Sequence, residues 1–60
     1  MKIYKLKKPF KGINKGTHFY LIAESEFIGV KEFVLRSKDL SRRLSINETE
    51  LKKNFNLISR

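Results

Sequence analysis

Lys15-Gly16-Thr17-His18-Phe19-Tyr20-Leu21-Ile22-Ala23 is the stretch that decides how this chain folds. Gly16 supplies a turn, and a run of β-favouring residues follows it. Two-residue alternation puts Phe19, Leu21 and Ala23 on one face and His18, Tyr20 and Ile22 on the other. The other apolar runs are short and read as further strands around this one.

Upstream, Met1 to Leu6 is expected to be the first strand, with Tyr4 and Leu6 towards the core and Ile3 half covered. Lys7-Lys8-Pro9 ends it, because proline lacks a ladder donor and holds Lys8 extended. Pro9, Gly12, Asn14 and Gly16 are too closely spaced for a helix or a long strand, so Pro9 to Gly16 reads as a structured loop. Phe10 and Ile13 should fold back from it onto the core.

Downstream, Glu24-Ser25-Glu26 reads as a polar break before a long strand-like segment from Phe27 to Arg36. The alternation of that segment changes phase: Ile28 and Val30 fit one face, Phe33 and Leu35 the other. A bulge or bend between Gly29 and Glu32 would repair the mismatch. Alternatively, Phe27 and Gly29 share the face of Phe33 and Leu35, and Lys31 snorkels at the rim. Ser37-Lys38-Asp39 is a tight connection in which Asp39 accepts turn amides. A strand from Leu40 or Ser41 to Ile46 follows, with Leu44 and Ile46 inward. Asn47-Glu48-Thr49-Glu50 then carries the strongest capping signal in the chain, Asn47 at the N-cap and Glu50 at N3. Leu51 and Phe55 lie one helical turn apart, and Lys52-Lys53-Asn54 suits a helix finish. Phe55 to Ser59 is the last strand, with Leu57 inward.

The order strand, long loop, two strands, short turn, strand, helical turn, strand resembles that of a small five-stranded SH3-like barrel. The likeness is one of element order and spacing. It implies a mainly β domain over residues 1–60, with a short helical turn before the last strand. An OB-like barrel or an α+β sheet with a terminal helix is the competing architecture. The aromatic-rich strand and acidic first loop of peptide-binding SH3 domains are missing, and the first loop here is basic.

Sixty residues make one small domain, with little room for an enclosed active site. Without cysteine there is neither a disulfide nor a thiolate metal site. No secretory segment or membrane-length apolar run is legible, so the expected location is cytoplasmic, without membrane contact. Chemistry-bearing residues are sparse. His18 is the single histidine and has no Asp nearby in sequence to orient it. Glu24/Glu26 bracket a break, Glu48/Glu50 are accounted for by capping, and Ser37, Ser41 and Ser45 lack an identifiable base. Gly12 and Gly16 do not have phosphate-loop spacing. The expectation is a non-enzyme without metal or cofactor.

Charge is the main functional clue. Fourteen Lys and Arg against six Asp and Glu give a net charge of +8, which favours nucleic acid or an acidic protein as partner. One basic group is Lys2, Lys5, Lys7, Lys8, Lys11 and Lys15, interleaved with Tyr4, Phe10 and Tyr20. From it, Lys7, Lys8, Lys11 and Lys15 beside Tyr20 are candidate nucleic-acid contacts. The other group is Arg36, Lys38, Arg42 and Arg43, which flank a connection and should concentrate charge at one hairpin tip. Lys52, Lys53 and Arg60 add a weaker third group. These residues point to a nucleic-acid-binding accessory or regulatory protein, DNA and RNA being equally open. The alternative is an interaction module that binds or inhibits a host protein, since small size and high charge resemble phage or mobile-element accessory proteins. A homodimer through a free edge strand or the Tyr20/Ile22 face is also open.

Overall fold

The computed structural model describes residues 1–60. Its elements are β1 (Ile3–Leu6), β2 (His18–Phe27), β3 (Val30–Ser37), β4 (Arg43–Asn47), α1 (Glu48–Asn54) and β5 (Phe55–Ser59). All strand pairs are antiparallel, in one sheet of order β4-β3-β2-β1-β5. Five strands with a short helix before the last agree with the sequence reading.

Closure does not. The expected SH3-like barrel is corrected to an open sheet, because β4 and β5 each have one neighbour and stand at opposite edges. The physical reason lies in their connection. α1 follows β4 and precedes β5 without a linker residue, and it packs against β3, β4 and β5. Its seven residues span about 10 Å at the helical rise of about 1.5 Å per residue. The helix thus covers the core side where a β4–β5 ladder would have to form. Leu57, expected inward, is accordingly 39 % exposed on an edge strand.

The core is Tyr4, Leu6, Ile13, Phe19, Phe33, Leu35, Leu44, Ile46, Leu51 and Phe55, all on one side of the sheet or packed over it. Phe19, Leu6 and Leu35 are completely buried. Phe55 is the hub: the rings of Phe19 and Phe10 meet it edge-on at 5.5 and 6.0 Å. Phe10 and Ile13 do fold back from the long loop. They exchange main-chain hydrogen bonds of 3.1 and 2.9 Å around Lys11-Gly12, whose φ values of 50° and 78° make a left-handed two-residue turn. α1 has the full capping box: the Glu50 amide donates to Asn47 Oδ1 at 2.8 Å, and the Asn47 amide donates to Glu50 Oε1 at 3.2 Å.

The middle of the chain departs from expectation. Glu24-Ser25-Glu26 is no break but part of β2, and the reversal comes at Ile28-Gly29, with φ values of 52° and 76°. Phe27↔Val30 is the first pair beyond this turn. The phase change read in Phe27 to Arg36 is therefore a hairpin between two strands. The irregularity lies in β2 instead, where the register shifts between Leu21 and Ala23. That bulge at Ile22 turns Ala23 away from the face of Phe19 and leaves it exposed.

Candidate nucleic-acid interface on the outer sheet face

With the core on one side, alternation assigns His18 and Tyr20 of β2, Arg36 of β3 and Arg43 of β4 to the uncovered side. Register then lines them up. Tyr20 pairs with Arg36, Arg36 with Arg43, and Tyr20 on its other side with Ile3. Adjacent strands lie about 4.8 Å apart, so this row places a phenol beside two guanidiniums within about 10 Å. A second row runs next to it: Lys5 pairs with His18, whose carbonyl accepts from the Lys38 amide at 3.0 Å. Lys5, Lys38 and Arg43 are exposed, whereas Tyr20, His18 and Arg36 are half-buried.

The charges of this face are not neutralised. The only ion pairs are Lys31 and Lys52 with the same Glu48 carboxylate, each at 3.9 Å. Glu24, Glu26 and Glu32 belong to the far half of the β2–β3 hairpin. Asp39 is engaged in its own turn, accepting from Ser37 Oγ, the Ser41 amide and Ser41 Oγ at 2.6, 2.9 and 2.7 Å. Those hydrogen bonds, Ser37 Oγ foremost, lower its pKa to about 2. Arg36 is half-buried without a carboxylate partner, and its Nε is buried without a hydrogen-bond partner.

The arginines read from sequence as one cluster are divided. Arg42 precedes β4 and donates from Nη2 to the Lys11 carbonyl at 3.1 Å, tying the long loop to the β3–β4 connection. Lys11 is a loop residue whose ammonium lies 5.5 Å from the centre of the Phe10 ring. Lys7 donates its amide to the Asn54 carbonyl at 2.7 Å and lines a groove with Tyr4, Leu51 and Leu57, on the core side of the sheet. Lys8 and Lys15 are exposed in the loop, outside the strand rows that carry Tyr20. Lys5 and His18 join the row neighbourhood although sequence reading did not select them. Parity with Tyr20 was the signal, but it becomes a site only once β1 and β2 are in register. No three His, Asp or Glu side chains come together as a metal-binding group. No family model, curated protein or solved structure matches this chain, so its own side chains carry the functional reading.

Proposed function

We propose that this chain binds single-stranded nucleic acid on the outer face of its open sheet. The observation that carries the reading is the row Tyr20–Arg36–Arg43, with Lys5 and Lys38 flanking it and no carboxylate paired to any of them. A base stacks on the phenol, while the guanidiniums and ammonium groups follow the phosphates. An open face suits single strands, whose bases can be splayed out onto it. The contacts are to backbone and ring faces, which implies weak sequence preference and an accessory role.

Four phosphate contacts, from Lys5, Arg36, Lys38 and Arg43, give a slope of log K on log salt of about −3, at roughly −0.7 per contact. Fluorescence anisotropy of a labelled twelve-nucleotide single strand, titrated at several salt concentrations, measures this. Arg36→Gln/Arg43→Gln should reduce the slope by about 1.4. Tyr20→Ala should weaken binding by about 1–3 kcal/mol with the slope unchanged. Arg42→Gln should leave the slope intact. Equal binding by folded wild type and the Arg36/Arg43 double variant would remove this interface.

A further inference from the structure

β2 outruns its neighbour. β1 pairs as far as Ile3↔Tyr20, with the Leu21 amide donating to the Lys2 carbonyl at 3.0 Å, but β2 continues to Phe27. One side of Ile22 to Phe27 is therefore an open edge, about 20 Å long at about 3.4 Å per residue. The hairpin register gives the direction of its main-chain groups. The pair flanking a two-residue turn exchanges both hydrogen bonds, and every second pair repeats the exchange. Phe27/Val30, Ser25/Glu32 and Ala23/Val34 are thus bonded to β3. The N–H and C=O groups of Glu24 and Glu26 point the other way, into solvent, where they form a template for another strand.

The side chains around this edge specify the occupant. Glu24 lies opposite buried Phe33, which puts the Glu24 and Glu26 carboxylates together on one face of the edge. Neither is ion-paired, although Lys31, opposite Glu26 and 3.9 Å from Glu48, lines the same hollow as both glutamates, and Lys2 lines the adjoining groove with Glu24. On the other face Phe27 and Val30 stand side by side, 77 % and 63 % exposed, next to Ile28 at 84 %. Ile28 occupies a left-handed position that a β-branched residue fills only with strain. A second copy is a poor fit. Antiparallel pairing of two β2 edges about Ser25 sets Glu24 against Glu26 of the other copy, and like charges directly opposite are destabilising.

We propose that the β2 edge is a strand-addition site for an extended segment of a partner protein, with Lys or Arg at every second position and apolar residues between. The cations face Glu24 and Glu26, the apolar residues face Ala23 and Phe27, and the main chain satisfies the two outward-pointing glutamates. This site is separate from the Tyr20–Arg36–Arg43 row and does not depend on it.

An end-blocked eight-residue peptide alternating lysine and valine, added to the full chain at low salt, tests the proposal by residue-resolved amide hydrogen exchange. Exchange at Glu24 and Glu26 should slow at least tenfold, with Ser25 and Phe27, already bonded to β3, unchanged. Glu24→Lys/Glu26→Lys should weaken the peptide at least tenfold, and Glu24→Gln/Glu26→Gln, which keeps side-chain size, should weaken it in the same direction. Arg36→Gln/Arg43→Gln should leave it unaffected, which separates this site from nucleic-acid binding. Protection confined to β4 or β5, equal binding of the peptide with glutamate in place of lysine, or protection of the same amides by self-association without peptide would each overturn the proposal.

Discussion

Replacing Ile28 by asparagine should stabilise the domain, although it removes a large apolar side chain. Ile28 sits at φ 52° in the first central position of a two-residue hairpin turn followed by Gly29. The left-handed conformation costs a non-glycine residue roughly 1–2 kcal/mol, and asparagine recovers much of that through local hydrogen bonding. Against this stands the lost burial. Ile28 is 84 % exposed, leaving 16 % covered. If full burial of an isoleucine contributes about 1.5–3 kcal/mol, that fraction is worth about 0.2–0.5 kcal/mol. The balance favours asparagine by about 1 kcal/mol, or a rise in Tm of roughly 4–8 °C for a domain of this size. Thermal unfolding followed by circular dichroism, with urea titration at 25 °C as a second measure, reads this directly. A Tm equal to or below wild type, with native far-ultraviolet signal, would refute the strain argument and the turn geometry behind it.

Gly29→Ala should act oppositely. An added Cβ meets nothing within 4 Å, so the penalty comes from φ 76° alone and should be about 1 kcal/mol in urea titration. Asn47→Ala removes the N-cap acceptor of α1 and should cost about 1 kcal/mol by the same assay, with Asn47→Asp close to wild type. Asp39 predicts a pH dependence. Its folded pKa of about 2 lies below the ordinary 3.8, so its contribution is complete above the higher value and is lost as pH falls towards the lower. The stability difference between wild type and Asp39→Asn should therefore shrink between roughly pH 5 and pH 2 in acid titrations.

The ends of the fold were more legible than its middle. Asn47 and Glu50 announce α1 because capping is local chemistry, complete within four residues. Phe10 and Ile13 fold back because a chain this small has few apolar side chains to leave in solvent. The bend expected between Gly29 and Glu32 is a full reversal at Ile28-Gly29; its extent was not legible because Ile28 is not a turn residue, leaving Gly29 as the single cue between apolar neighbours. The bulge at Ile22 was invisible, since an inserted residue looks like ordinary alternation until the partner strand is known. Closure could not be read either: apolar periodicity says which face is buried, not whether the outermost strands meet. The outer-face candidates suffered the same limit. Tyr20, Arg36 and Arg43 were each identifiable, but their alignment depends on the register of three strands. Arg42 was drawn away by a carbonyl 31 positions distant in sequence.

The pairing of β1 with β5 joins Ile3 to Ser59, nearly the full span of the chain, whereas β2 and β3 meet across two residues. Assembly should therefore run from the hairpin outward, because a distant contact forms only after the intervening chain has been ordered. β5 would then be the last segment to arrive and, by reversal, the first to depart. Its departure would strip Phe55 from the rings of Phe10 and Phe19, so local fraying of the final strand would loosen the whole interior.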